Sequence, residues 1–193
     1  MNLRILIKPL ILLLSIVILF SSLTIGANAY AILNNCQNGV KKALTFYSIN
    51  VSESYISNTF ATSMSVWNSA GYGQLLKYGG NKNSTPNSAY DGINKFYKVN
   101  TGDCHVYAIT TTHSLNGDIL EADISLNSYY DYYSILSDGL DLQSILTHEL
   151  GHAIGLDHSN ISNATMYSIY QANSTHMRDL HSDDLSGLEA IYG

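Results

Sequence analysis

A histidine pair four residues apart, with a glutamate next to the first histidine, is the part of this sequence best suited to chemistry. The residues are His148, Glu149 and His152, in the string His-Glu-Leu-Gly-His. On an α-helix, residues with this spacing lie one turn apart on the same side, so both imidazoles project in one direction. Two imidazole nitrogens placed in this way can bind one zinc ion at about 2.1 Å each. Glu149 is then well placed to act as the base toward a water that the zinc activates.

A third histidine follows at the point where that helix must end. Gly155 predicts the end, because glycine readily takes the left-handed backbone conformation that closes a helix. His158 comes three residues later, and with His148 and His152 it completes a predicted set of three zinc ligands. Three protein ligands leave the fourth position of a tetrahedral zinc open to water, as in catalytic rather than structural sites. The alternative, a helix with unrelated surface histidines, is disfavoured because Gly155 and His158 both fall at the places that the motif requires.

Two helices in the last third of the chain are predicted to position these residues. The first has Asp141 as its N-cap and Gly155 as its stop. The last helix begins near Ser182, and Asp183 and Asp184 in its first turn suit the helix dipole. The apolar stripe of the first helix consists of Leu142, Ile145, Leu146, Leu150, Ala153 and Ile154.

Strand-like segments come before these two helices. Residues 44–49 are β-branched and aromatic, and a helix with Ser52 as its N-cap is predicted over residues 52–67. Residues 119–126 alternate between apolar and polar side chains, which indicates a strand with one polar face. The order of elements predicts an α+β, three-layer mixed domain. Further short strands and a hairpin turn are predicted at residues 74–78, 96–99, 105–110 and Asn116-Gly117.

The zinc-binding string resembles the extended motif of the metzincin metallopeptidases. Ser159, directly after the third histidine, is similar to the residue at that place in the matrixin branch, which contains the matrix metalloproteases. Residues 164–167 resemble the Met-turn, in which Met166 would pack beneath the metal without binding it. Residues 180–193 resemble the closing helix of matrixin catalytic domains. The resemblance implies a twisted, mostly parallel sheet with an edge strand lining the cleft, a zinc-binding helix, a Met-turn and a C-terminal helix.

Two further residue roles are implied by the resemblance alone. Tyr170 resembles the tyrosine in the wall of the S1′ substrate pocket, although a loop tyrosine with no special role is the alternative. Asp183 matches the first acid of an Asp-Asp pair that in matrixins often binds the freed amino terminus. The alternative for Asp183 is a simple favourable interaction with the dipole of its own helix.

The sequence also departs from the matrixin pattern. No Pro-Arg-Cys-Gly segment precedes the domain, and Ser168 stands where matrixins usually have a proline. The loop that holds structural zinc and calcium in many matrixins is not recognisable. His105 and His113 are candidates for a second metal, and Asp118 and Asp123 for calcium, but neither pattern is supported. We therefore predict one catalytic Zn²⁺.

The first 29 residues have the pattern of a secretory signal peptide. Arg4 and Lys8 precede an apolar run over residues 10–20, and Ala27-Asn28-Ala29 offers a signal peptidase site. Residues 1–29 are thus predicted to be removed, leaving a catalytic domain over residues 30–193 that is secreted. The alternative is a retained membrane anchor, for which the apolar run is short.

Composition narrows the choice of partners. The 193 residues suit one domain, and 46% hydrophobic residues suffice for a core. A net charge of −6 disfavours nucleic acid and anionic membranes. We expect a monomer with no stable membrane partner. Cys36 and Cys104 are predicted to form a disulfide, because disulfides are the default in exported chains.

Together these features predict a secreted zinc-dependent endopeptidase that acts on polypeptides. The substrate would bind as an extended strand along the edge of the sheet, for which residues 119–126 are the candidate. One alternative is a zinc hydrolase that acts on a non-peptide amide. The other is a secreted binding protein stabilised by zinc, which the presence of Glu149 disfavours because a structural site needs no base.

Overall fold

A five-stranded sheet and three α-helices dominate the computed structural model, which describes residues 29–132 and 139–193. The predicted signal peptide lies, apart from Ala29, outside the described residues, and its removal stays a prediction. The strands are β1 Ala31–Ile32, β2 Leu44–Ile49, β3 Leu76–Asn81, β4 Asn94–Val99, β5 Ala108–Leu115, β6 Asp118–Asn127 and β7 Leu156–Asp157. The helices are α1 Ser54–Asn68, α2 Leu142–Ala153 and α3 Ser182–Tyr192, with a 3₁₀ turn at His176–Arg178.

The large sheet has the strand order β3-β2-β4-β6-β5. Its first four strands are parallel to their neighbours, and only β5 runs antiparallel, paired with β6. The two short strands β1 and β7 form a separate antiparallel pair. The predicted α+β fold with a mostly parallel sheet is therefore confirmed.

Helix α1 packs against both the sheet and α2. Phe60 of α1 stacks on Phe96 of β4 with the ring centroids 4.1 Å apart. The indole N–H of the buried Trp67 donates to the carbonyl oxygen of Thr147 in α2 at 2.7 Å. The predicted N-cap at Ser52 is wrong, because the helix is preceded by Glu53, whose side chain makes no capping bond.

The predicted edge strand is also wrong. Residues 119–126 belong to β6, which lies between β4 and β5, so the edge is β5. The polar face of β6 misled the prediction because it is buried: Glu121 and Asp123 are 0% and 1% exposed. Backbone N–H groups of Asp91 and Gly92 donate to Glu121, and that of Lys95 donates to Oδ1 of Asp123. Backbone donors thus replace solvent at both carboxylates, although Oδ2 of Asp123 is buried without a hydrogen-bond partner among the described residues.

The predicted disulfide between Cys36 and Cys104 is absent, and both thiols are free. Cys36 is buried beside Thr112, towards the far end of β5, with its sulfur 4.0 Å from the threonine hydroxyl. Cys104 is exposed in the loop that precedes β5, next to His105. Because the strand separates the two thiols, they cannot approach to the S–S bonding distance without moving the backbone.

The two turns that orient the site were predicted correctly. Asn116 and Gly117 join β5 to β6 with φ of 53° and 89°, the left-handed values that such a tight hairpin needs. Gly155 follows α2 with φ of 108°, which turns the chain back into β7. Within the described ranges, every helix is too short or too polar to cross a membrane.

Candidate active site

Helix α2 presents His148 and His152 on one side, as their spacing predicts. Asp141 caps the helix by accepting from the N–H of Ser144 at 2.8 Å, which confirms the predicted cap. The Nδ1 atom of His148 lies 2.7 Å from the carbonyl oxygen of Thr165, and that of His152 lies 2.7 Å from that of Leu156. Carbonyl oxygens only accept, so each Nδ1 carries the hydrogen and each Nε2 has a free lone pair.

His158 is brought to the same pair by the turn at Gly155. Its ring centroid lies 5.3 Å from that of His148 and 4.8 Å from that of His152. One ligand atom from each of the three side chains lies within 4.8 Å of the other two. Burial, and then the charge of His152, lowers the pKa of His148 to about 3, which keeps this imidazole neutral. Three imidazoles placed in this way, two of them oriented by backbone carbonyl oxygens, fit a zinc ion.

Glu149 lies between α2 and the edge strand. The residue is 8% exposed, and its carboxylate accepts from the hydroxyl of Thr110 in β5 at 2.6 Å. Burial raises the pKa of Glu149, while the nearby His152 and the hydrogen bond from Thr110 oppose that rise. Nothing in the sequence of β5 marked Thr110 as a partner, because the contact joins residues far apart along the chain.

Met166 packs against α2 beneath the histidines. A side chain at Gly151 would collide with the sulfur of Met166, so the glycine is what allows this close packing. Asp184 holds the turn by accepting from the N–H groups of Thr165 and Met166 at 2.9 and 3.0 Å. From the sequence, Asp184 was expected only to interact favourably with the dipole of its helix. Asp184 also completes a capping box with His181, which the sequence did not signal because a capping box usually pairs Ser or Thr with Glu or Gln.

Tyr170 lies in the wall of a cleft of about 290 Å³ that also contains His148, Glu149 and His158. Its hydroxyl donates to the carbonyl oxygen of Gly139 at 3.3 Å and accepts from the N–H of Asp141. The cleft is further lined by His105, Val106, Tyr107, Ala108, Ile145, Tyr167, Ser168 and Met177. The tyrosine therefore lines the same cleft as the histidines, and its role in a substrate pocket stays a prediction.

An ion pair that was not predicted from the sequence joins the 3₁₀ turn to the start of α2. Arg178 donates from Nε to Oδ1 of Asp141 at 2.9 Å and from a second nitrogen to Oδ2. Burial alone would raise the pKa of Asp141, but the hydrogen bonds from Arg178 and Ser144 outweigh it and leave the pKa below its ordinary value. The pair thus stabilises the fold above pH of about 4, and that contribution is lost as the pH falls through the lowered pKa.

Asp183 contacts the leading segment of the described chain. Its Oδ1 atom accepts from the backbone N–H groups of Ala29 and Tyr30, each at 3.1 Å. Its Oδ2 atom accepts from the hydroxyl of Ser159 at 2.6 Å. The backbone nitrogen of Tyr30, which would become the amino terminus after signal cleavage, therefore lies beside a carboxylate.

The four candidates for additional metals do not pair in the way that the sequence suggested. His105 precedes β5, whereas His113 lies near its far end and its Nε2 lies 2.9 Å from the carbonyl oxygen of Ser88. Asp118 pairs with Lys41 at 3.4 Å, and Asp123 accepts from the backbone of Lys95. Neither the histidine pair nor the aspartate pair can therefore hold one ion between its members. His105 instead groups with Asp103 and Cys104, and His113 groups with Glu121 and Asp123.

Comparison with known proteins extends the similarity beyond this site. A sequence profile of the matrixin peptidases (peptidase family M10) matches residues 36–193. Human matrix metalloproteinase-19 is 46% identical over 55 residues, which are 28% of this chain and 11% of the relative. Matrix metalloproteinase-16 of Rattus norvegicus is 50% identical over 56 residues, 29% of this chain and 9% of the relative. Matrilysin of Rattus norvegicus is 38% identical over 55 residues, 28% of this chain and 21% of the relative. The matched part therefore spans a minor share of each relative.

Proposed function

This chain belongs to the matrixin family, and from that premise we propose that it is a secreted zinc-dependent endopeptidase in which Glu149 is the catalytic base. Membership of the family and the matrix metalloproteinase relatives support a metalloendopeptidase with a polypeptide substrate. The observation that carries the proposal is the set of three histidines beside Glu149 in one cleft.

We propose that His148, His152 and His158 hold a single zinc ion through their Nε2 atoms or, for His158, through either ring nitrogen. When bound, the zinc would act as a Lewis acid and lower the pKa of a water to about 7. The carbonyl oxygens of Thr165 and Leu156 orient the imidazoles of His148 and His152. The Nε2 lone pairs of these two histidines are therefore already oriented in the protein without metal.

Glu149 would hold the proton that peptide hydrolysis must move. Its carboxylate would take a proton from the attacking water and deliver it to the leaving nitrogen of the substrate. The hydroxyl of Thr110 binds one carboxylate oxygen at 2.6 Å, which fixes the carboxylate and leaves its other oxygen for the transfer. Burial in a site with little water supports this role, because a buried carboxylate gains by accepting a proton.

Strand β5 is the surface on which the substrate backbone would bind. It is the free antiparallel edge of the large sheet, and Thr110 in its middle touches Glu149. An extended peptide can add to such an edge through its main-chain hydrogen bonds, while pockets select the side chains. The tyrosines Tyr107 and Tyr170, with ring centroids 5.3 Å apart, support an apolar side-chain pocket next to the histidines.

A cleavage assay separates this proposal from its rivals. The purified protein is incubated with casein, with a mixed peptide library and with simple acyl amides, each with zinc, after chelation and after zinc is restored. We expect peptide cleavage that chelation abolishes and zinc restores. Cleavage of acyl amides alone would favour the non-peptide hydrolase, and zinc binding without any cleavage would favour a zinc-stabilised binding protein.

The contact between Tyr30 and Asp183 leads to a prediction about the protein after cleavage of its signal peptide. If the chain is cut after Ala29, the nitrogen of Tyr30 becomes an ammonium beside a carboxylate, and a hydrogen bond between charged groups contributes about 1.5–3 kcal/mol. We expect Asp183→Asn, and separately one extra residue before Tyr30, each to lower the free energy of unfolding by an amount in that range.

A double-mutant cycle on the mature protein tests this pairing by denaturant unfolding and by kcat/KM. The two changes combined should lower the free energy of unfolding and kcat/KM by no more than either change alone. Independent, additive losses would contradict the pairing and favour a dipole effect of about 0.3–1 kcal/mol at Asp183.

A further inference from the structure

Three consecutive side chains, the last of which lines the cleft, converge on one point: Asp103, Cys104 and His105. The Nδ1 atom of His105 lies 3.1 Å from Oδ1 of Asp103 and 3.8 Å from the sulfur of Cys104. One ligand atom of each residue lies within 4.8 Å of the other two. All three side chains reach solvent, and that of His105 is 88% exposed. An ion in solution therefore has free access to the group.

The backbone of this loop is fixed although its side chains are exposed. The carbonyl oxygen of Asp103 accepts from the amide of Asn127 at 2.9 Å and from the hydroxyl of Thr101 at 3.2 Å. The hydroxyl of Tyr130 donates to the carbonyl oxygen of Cys104. A held backbone reduces the ordering cost of bringing the three donors onto one ion.

Both donor spacings from His105 are close to those of a zinc coordination sphere. In a tetrahedral zinc site, a nitrogen and an oxygen ligand are about 3.4 Å apart, and a nitrogen and a sulfur ligand about 3.6 Å apart. The corresponding distances from Nδ1 of His105 are 3.1 and 3.8 Å, so each differs by only a few tenths of an ångström. Thiolate, imidazole and carboxylate are the three side-chain ligands that zinc takes.

We propose that Asp103, Cys104 and His105 form a second, weaker zinc site that inhibits the enzyme when zinc is in excess. Binding would release the thiol proton of Cys104 to solvent and leave a zinc–thiolate bond. His105 lines the same cleft as His148 and Glu149, so an ion at this site would occupy the entrance to the cleft. The inhibitory effect rests on the proposed peptidase function, whereas the metal site itself does not.

Metal binding is tested first without any assay of activity. The full chain, reduced and loaded with zinc at its histidine site, is titrated with Cd²⁺, which prefers thiolate ligands and gives an ultraviolet thiolate–metal absorption. We expect the band to reach its full intensity when one Cd²⁺ ion is bound per protein. Cys104→Ser should abolish it, and Cys36→Ala, which removes the chain's other thiol, should retain it. A band that persists in Cys104→Ser, or no band in the unaltered chain, would overturn the site.

Inhibition is tested by peptide cleavage at increasing Zn²⁺ concentration. We expect micromolar excess zinc to raise KM more than it lowers kcat, and Cys104→Ser to shift the midpoint of inhibition at least tenfold upwards without changing the basal rate. An unshifted midpoint alongside a lost Cd²⁺ band would overturn the inhibitory role. If no peptide is cleaved at all, the proposed function fails, and the Cd²⁺ titration still decides whether the site exists.

Discussion

Replacement of Glu149 by alanine is expected to lower kcat/KM for peptide cleavage by about 10²–10⁴-fold, the range that general acid–base catalysis supplies. His148 and His152 keep their orientation in this variant, because their Nδ1 atoms are held by the carbonyl oxygens of Thr165 and Leu156 rather than by the glutamate. Zinc content should therefore remain near one ion per chain. The free energy of unfolding should change little or rise, because a carboxylate whose pKa burial has raised is costly to keep charged.

Two further variants make this experiment specific. Glu149→Gln keeps the size of the side chain and an oxygen that can accept from Thr110, but it cannot accept a proton at neutral pH, so it should be as inactive as the alanine variant. Glu189→Ala removes an exposed glutamate of α3 and should leave activity unchanged. Activity above a few per cent in Glu149→Gln, with zinc bound, would mean that another group is the base.

Replacement of His158 by alanine should weaken zinc binding by more than about 100-fold, since losing even a residue that only supports a ligand costs 10–100-fold. His158 is the only one of the three histidines that lies outside α2, so two ligands would remain on one helix turn and the ion would lose its anchor to the following segment. Because metal binding stabilises the folded state, the variant should also lose thermal stability.

Thermal unfolding with and without zinc measures both effects. Free zinc at 100 times the dissociation constant should add about 2.7 kcal/mol to the unaltered protein, and far less to the variant at the same concentration. His176→Ala is the matched control, because His176 is bonded to Ser174 in the 3₁₀ turn. His181 is likewise occupied as the cap of α3. Unchanged zinc affinity in His158→Ala would place the third ligand elsewhere.

The parts of the site that sequence predicted well are those set by neighbours along the chain. The cap at Asp141, the stop at Gly155 and the shared side of His148 and His152 follow from helix geometry, and His158 comes three residues after the stop. Such relations can be read from spacing because the backbone between the residues is regular.

The parts that it missed depend on contacts between distant segments. An alternating strand normally has a solvent-facing polar side, but the polar side of β6 is covered by backbone donors from residues 91–95. Strand order is likewise not encoded in the pattern of one strand, so the edge was assigned to β6 rather than to β5. The same holds for Thr110, whose hydroxyl meets Glu149 across 39 positions of sequence, and for the expected disulfide.

The adjacent carboxylates at the start of α3 have a consequence for how the domain opens. Successive helix residues point about 100° apart, so Asp183 reaches Tyr30 while Asp184 reaches Thr165 and Met166. A helix near the end of a domain would ordinarily fray first and by itself. Here its first turn ties down both the leading segment and the Met-turn, so amide hydrogens in all three should exchange with solvent in one cooperative opening rather than in three separate ones.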